Sequence, residues 1–239
     1  MDLNALDRAL ERLSNHDAPN VAALAKAVRE QCPKAPPQGG PSKRRAHAAV
    51  AETSMRPEKR AASSANFQKE EALFTTGVKE VGNFVLFWRG WPSQWSPSTF
   101  EVEGETFNCA EQFMMAEKAR LFKDFATASA VMRASDPAQH KKLGRTVKNF
   151  DDAIWRDACR GIVERGCKAK FSQNKRLREL LLATGEKTIA EASPKDNIWG
   201  IGLSSTDPRA TDPSRWRGTN WLGEALMVTR KWLRSQPEP

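Results

Sequence analysis

Tyrosine is absent from this 239-residue chain, and histidine nearly so. Of three histidines, His16 and His47 fall in an N-terminal extension, leaving His140, in DPAQHKKLG, in the main body. That shortage excludes serine triads and multi-histidine metal centres, and His140 itself is expected on the surface of a helix. The four cysteines, Cys32, Cys109, Cys159 and Cys167, form no C-x-x-C pair, and none lies at finger spacing from a histidine. No metal site is expected, and the thiols read as reduced and buried. No run of 18 apolar residues exists, so no membrane span is expected. The opening MDLNALDRALERL lacks a signal-type apolar block, which makes cytoplasm or nucleus the expected compartment. Chemistry on this chain is left to carboxylates, lysines, backbone groups or a bound ligand.

Charge is plentiful and unbalanced. The formal net charge is +9. Residues 1–65 hold 11 Lys and Arg against 7 Asp and Glu, leaving 27 against 22 in the remainder. Both parts are basic, which favours an anionic partner such as a nucleic acid or a phosphorylated ligand, although an excess of this size also serves solubility.

Three regions follow from the patterning. In residues 1–31, Leu3, Leu6, Leu10 and Leu13, then Val21, Leu24 and Val28, recur at helical spacing around a break at Asn15 to Asn20, predicting a short helical hairpin. Residues 32–65 are rich in Pro, Gly, Ala and Ser with KRR and EKR clusters, and read as a disordered basic linker. Residues 66–235 form the body. There VGNFVLFW has strand character, and FEVEGETFNC reads as two short strands around Glu103-Gly104. Helices are predicted over 110–122, 124–134, 138–143, 151–173 and 175–184, followed by a returning strand in KTIAEAS and a closing helix in TNWLGEALMVTRKWL. The expected class is α+β, mainly helical, with a small sheet.

Two features of the body suggest a site. The eight tryptophans include Trp88, Trp91 and Trp95 in FWRGWPSQW, Trp199 in KDNIWGIG and Trp216 in RWRGTNW, each beside turn formers. Rings at the ends of elements fit core packing singly, but as a group they suit stacking on a base or sugar. The second feature is NCAEQFMMAEKARLF, where Glu111 and Lys118 interrupt an apolar helix. Seven helical steps return to within roughly 20° of the start and rise about 10 Å, so both side chains leave one face, two turns apart. By spacing alone this pair is equally consistent with the wet side of an amphipathic helix.

The strings FWRGWPSQWSPSTFEVEGETFNCAEQFMMAEKARLF, DPAQHKKLGRTVKNFDDAIW, KAKFSQNKRLRELLLATGEKTIAEASPKDNIWGIGL and WRGTNWLGEALM, in that order, closely resemble the NADAR (YbiA-like) family from about Phe84 to Leu233. The resemblance implies a compact, mostly helical fold and N-glycosidase activity without a cofactor. The substrate it implies is either ADP-ribose attached to guanine in DNA or RNA, or a ribosylated amino-pyrimidine intermediate of riboflavin synthesis. It places the family's helix acid on Glu111 and the lysine of the same helix on Lys118. The mid-helix tryptophan falls on Trp155, the Asp-x-x-Trp-Gly loop on Asp196, Trp199 and Gly200, and the Gly-x-Asn-x-Leu-Gly element on Gly218, Asn220 and Gly223. Many members carry Ser-Asn-Phe where this chain has Ser93-Gln94-Trp95, so Trp95 alters the mouth of the site.

Cleaving a ribosyl C–N bond needs a proton for the departing base and a nucleophile or cation stabiliser at C1. A carboxyl such as Glu111 can move the proton, and a lysine such as Lys118, if burial lowers its pKa, can attack C1. Asp196 is suited to ribose hydroxyls or a guanine edge, with Trp199 covering an aromatic face. Trp155 is either an opposite wall or a packing residue. Arg215 and Arg217, ahead of a helix N-terminus, suit a pyrophosphate. A non-catalytic ADP-ribose binding module is the alternative from another class. It would keep the aromatic walls and have no use for Glu111 and Lys118. No membrane partner is implied.

Overall fold

The computed structural model of the chain describes residues 74–237. The hairpin expected over 1–31 and the linker expected over 32–65 lie outside them. Strand β1 (Val78–Val81) turns at Gly82, whose φ is +54°, into β2 (Phe84–Phe87). The strand expected across VGNFVLFW is therefore broken at Gly82-Asn83, and a further strand precedes it. β3 (Phe100–Val102) and β4 (Glu105–Phe107) form a hairpin in which Glu103 and Gly104 both have positive φ, as a tight two-residue turn requires. Five helices follow: α1 (Ala110–Leu121), α2 (Phe125–Arg133), α3 (Pro137–Gly144), α4 (Asp152–Gln173) and α5 (Lys175–Ala183). The chain then returns through β5 (Thr188–Glu191) and closes with α6 (Trp221–Arg234).

Aspartates set several helix starts. Asp124, Asp136 and Asp151 each accept a backbone N–H of the first turn, at 3.1, 2.9 and 2.9 Å respectively, worth about 1 kcal/mol apiece. β5 pairs parallel to β2, with Phe84 opposite Thr188 and Phe87 opposite Glu191, while β1 pairs antiparallel on the other side of β2. A parallel pair demands a long crossover, and here α1 to α5 occupy it. The carboxyl ends of β2 and β5 consequently lie side by side, and the loops leaving them meet.

The core forms around α1, which is buried on nearly every side. Phe113 stands edge-on to Phe107, with ring centroids 5.1 Å apart, and both side chains are fully buried. Truncating Phe113 to alanine would cost about 3–5 kcal/mol. Helices α3 and α4 approach α1 through glycines: a Cβ on Gly144 would stand 2.0 Å from Met115 Sδ, and one on Gly166 2.7 Å from Phe113 Cδ1. The two polar residues in the first turn of α1 have separate uses. Gln112 accepts from Asn108 N at 2.8 Å and donates to the carbonyls of Val131, Met132 and Ala134, closing the end of α2. Glu111 turns its carboxylate to Trp95.

His140 is fully buried, contrary to the surface position expected for it. Its Nε2 lies 3.0 Å from Ala134 O and its Nδ1 3.6 Å from Cys109 Sγ. The polar ring partners a carbonyl at the end of α2, a tertiary demand that its own segment does not reveal.

Candidate active site

Glu111 sits one residue inside α1, and its N–H donates to Gln94 O at 3.0 Å. That bond fastens the Ser93–Ser96 loop to the helix start, satisfying one of the free N–H groups found there. The loop is held from below by Lys170 of α4, a fully buried lysine that donates to Trp91 O at 3.0 Å and Ser93 O at 2.8 Å. Burial brings its pKa down to about 8. So anchored, the loop presents Trp95, whose side chain hydrogen-bonds the Glu111 carboxylate while 42% of the residue remains exposed.

The Glu111 carboxyl itself is 6% exposed. Burial lifts its pKa to about 7, opposed by Lys141 and Trp95, reinforced by Asp196 and opposed again by Arg145. Glu191, the last residue of β5, is its neighbour in charge. Burial, then Asp196, lifts Glu191 to about 8, with Lys141 opposing and Glu111 adding to the rise. Its Oε2 is buried with no hydrogen-bond partner among the described residues. Three carboxyl groups thus act on one another, with Lys141 of α3 acting on two of them, at the end of the sheet where the loops after β2 and β5 meet.

The backbone that carries this cluster is tightly determined. Asn220, at φ +54° ahead of α6, accepts from Glu191 N at 3.0 Å and donates to Ile189 O at 2.9 Å. Both of these amide bonds go to β5, so Asn220 positions Glu191. Gly223 lets α6 lie on the strand, since a Cβ there would be 2.2 Å from Ile189 O. Gly200 lets the 192–203 loop fold over the strand end, where a Cβ would meet Glu191 O at 2.8 Å. Asp196 Oδ1 accepts from Ile198 N and Trp199 N at 3.0 and 2.8 Å, fixing the loop that carries Trp199.

Lys118 lies two turns along α1, half-buried. Its Nζ donates to Gly144 O at 2.9 Å and sits 4.3 Å from the Phe150 ring centroid and 5.3 Å from that of Trp155. Burial first, and Arg145 second, lower its pKa. Burial and the like charge of Arg145 bias this lysine toward the neutral, nucleophilic amine, against the two ring faces, which favour the cation. Beyond Trp155 opens a cleft of about 350 Å³ lined by Trp155, Trp199, Trp221, Ile198, Asp152 and Arg156, among others. Trp199 and Trp221 meet edge to face at 5.8 Å in its wall. None of the converged carboxyls lines this cleft; Trp155 joins it to Lys118.

Glu111, Lys118, Trp95, Trp155, Asp196, Trp199 and Gly200 therefore belong to one region. Arg215 and Arg217 are exposed on the turns before α6, and no described contact places Arg215 at the carboxyl cluster. Arg217 N donates to Ile201 O at 2.9 Å, in the same loop system as Trp199. Glu191, Lys141, Arg145, Phe150 and Lys170 were not anticipated. Glu191 alone had a signal in the sequence, a charged residue ending an otherwise buried strand.

The model of the NADAR domain matches residues 86–234. The chain belongs to the NADAR domain family. Among curated relatives, N-glycosidase R617 of Acanthamoeba polyphaga mimivirus is 45% identical over 144 residues, 58% of this chain and 85% of that protein. N-glycosidase YbiA of Escherichia coli is 28% identical over 160 residues, 67% of this chain and 86% of that one. Riboflavin biosynthesis protein VVA0006 of Vibrio vulnificus is 31% identical over 144 residues, but these make up only 35% of its length. The NMR structure of the Escherichia coli protein YbiA superposes with a TM-score of 0.54 at 24% identity, covering 68% of this chain and 91% of that one, which establishes the shared fold. The NADAR domain thus supplies the mainly helical architecture with a small sheet expected from the sequence.

Proposed function

We propose that this NADAR protein is an N-glycosidase that cleaves a ribose C1–N bond, removing ADP-ribose from modified guanine in DNA or RNA. The observation that carries the reading is the pairing on one helix of a buried carboxyl poised near neutrality, Glu111, with a half-buried amine shifted toward its neutral form, Lys118. A stable protein has no use for a buried carboxyl whose ionisation is resisted by its surroundings. A proton-transfer catalyst does. That contrast also weighs against a purely binding module.

In this reading protonated Glu111 gives its proton to the departing base nitrogen as the C1–N bond breaks. The neutral amine of Lys118 attacks C1; the C1–O4 ring bond then breaks with its electron pair going to O4, which takes the proton shed by the amine, leaving a Schiff base between Lys118 and the open-chain ribose. Water then adds to C1 and the amine leaves, releasing free sugar and restoring Lys118. Glu191, whose pKa burial raises to about 8, offers an unpartnered oxygen to ribose hydroxyls. The aromatic cleft beyond Trp155 accepts a flat ring against Trp199, on the loop that Asp196 fixes.

Ribosylated amino-pyrimidines of riboflavin synthesis form the second reading, favoured by the likeness to the Vibrio vulnificus protein. They present the same bond. The test is incubation of the protein with an ADP-ribosylated guanine oligonucleotide and, separately, a ribosylamino-pyrimidine, with chromatography of the products. Free ADP-ribose from the first at the faster rate supports the reading; turnover of the pyrimidine alone replaces it with the second, and no release from either refutes both.

A further inference from the structure

One wall of the site is a basic helix: Lys141 and Arg145 act on the charges of Glu111 and Lys118, while Lys142 and Lys148 take no part in that chemistry. Helix α3 and the turn after it carry Lys141, Lys142, Arg145 and Lys148, of which Lys142, Arg145 and Lys148 are exposed. Elsewhere in the domain cations meet carboxylates, as Arg120 meets Glu105 and Glu117, Arg160 meets Glu224 and Lys187 meets Glu80. Among the described residues, no ion pair engages any of the four cations of this segment. Cations in the last turn of a helix offset its dipole, which accounts for Lys141 and Lys142. Lys148, beyond the helix, falls outside that effect.

The flanks of this segment point outward from the site. At one end Lys141 Nζ lies 5.9 Å from the ring centroid of Trp95, which is 42% exposed and hydrogen-bonded to Glu111. At the other, Phe150 is 43% exposed and its ring lies against Lys118. Between them, Gly144 O receives the Lys118 amine. Each exposed ring therefore touches one of the two proposed catalytic groups, and cations without a close ion pair line the interval, Lys141 acting on Glu111 and Lys148 on Asp124 at longer range. Flat exposed rings alternating with cations are the elements that bind a nucleic-acid strand, rings against bases and cations against phosphates.

We infer that the rim formed by Trp95, α3, Lys148 and Phe150 binds the single-stranded polynucleotide segment flanking a modified base. This rests on the glycosidase reading only in supposing why a strand would come there; the surface itself is testable without turnover. Lys142 and Lys148 are suited to the test because neither is placed in the catalytic machinery. In the full chain, Lys142→Gln combined with Lys148→Gln removes two phosphate contacts. Single strands contribute about 0.7 to the log–log salt slope per contact, so the slope for binding an unmodified single-stranded oligonucleotide should flatten by about 1.4. Fluorescence anisotropy at about 0.1 M salt should show binding weakened by roughly 25-fold on the same basis, taking affinities at about 1 M as equal. The KM for a modified oligonucleotide should rise by that ratio, while the KM for ADP-ribosylated guanosine monomer stays unchanged. An unchanged slope and affinity would overturn the inference. So would an equal rise in both KM values, which would assign these cations to the pyrophosphate of ADP-ribose itself. If the wild type cleaves neither substrate the glycosidase reading fails, and the anisotropy comparison still decides the surface.

Discussion

Replacing Glu111 by glutamine should abolish turnover and at the same time stabilise the fold, by an amount that depends on pH in a calculable way. The Glu111 carboxyl has an ordinary pKa of 4.5 when solvated and about 7 when buried in the native protein. A folded-state pKa above the unfolded one means that the native state holds the proton more tightly. Stability from this group is therefore complete below about pH 4.5 and declines as pH rises to about 7, beyond which the loss is constant. The full difference corresponds to about 3 kcal/mol at 1.36 kcal/mol per pKa unit. At pH 5 the native carboxyl is already neutral and the penalty is under about 1 kcal/mol. Glutamine has the same shape, accepts the Trp95 hydrogen bond and never ionises. Removing the charge also relieves Glu191, whose rise is partly due to Glu111, which adds to the gain at high pH. Thermal unfolding of wild type and Glu111→Gln at pH 5 and pH 8 should show a variant advantage larger at pH 8 by about 2–3 kcal/mol, or roughly 4–10 °C in Tm. Cleavage should fall by about 10²-fold or more, the scale of a positioned acid or base. An advantage equal at both pH values, or none at pH 8, would refute the reasoning that Glu111 is held near neutrality by burial.

Lys118→Met should abolish cleavage and the covalent sugar adduct trapped by borohydride on the wild type. Intact mass after quenching checks this, and an active Lys118→Arg with no wild-type adduct would leave Lys118 a charge only. Asn220→Ala should destabilise the fold by about 2–4 kcal/mol by leaving Ile189 O and Glu191 N unpaired, measured by denaturant unfolding. Residual activity at a temperature where the variant remains folded should fall too, because Glu191 loses its anchor; full activity there would show that Glu191 does not matter. EDTA should leave turnover unchanged, since Glu111, Glu191 and Asp196 influence one another without forming a group that could hold a metal ion, and no other such group exists among the described residues. Loss restored by one divalent ion would reveal a site of oxygen ligands. Deleting residues 1–65, which carry 11 basic side chains, should leave turnover on a short oligonucleotide nearly intact and weaken binding to long DNA at low salt. A folded truncate with little turnover would contradict that division.

Much of this protein was legible in local chemistry. Helix periods, aspartate caps at Asp124 and Asp151 and the Glu103-Gly104 turn each depend on residues within a few positions of one another, so the elements they make can be read from the chain. The same holds for Glu111 and Lys118, whose shared face follows from a spacing of two helical turns. Glu191 is different. Its importance arises because β5 returns parallel to β2 some hundred residues later, bringing Glu191 level with Phe87 and within electrostatic reach of Glu111. Lys170 reads as one more cation of a long helix until Trp91 and Ser93 present it with two carbonyls. His140 sits among polar neighbours in sequence, yet its segment folds it against Cys109 and Ala134. Asn220 matches a family motif whose reason emerges when its amide is seen bridging β5. Sequence by itself determined the elements, the two charged residues on one helix and the family, because these rest on local spacing and motif strings. Tertiary structure alone decided which charges are buried and which groups face one another, because desolvation and Coulomb energies depend on distances the order of residues does not contain.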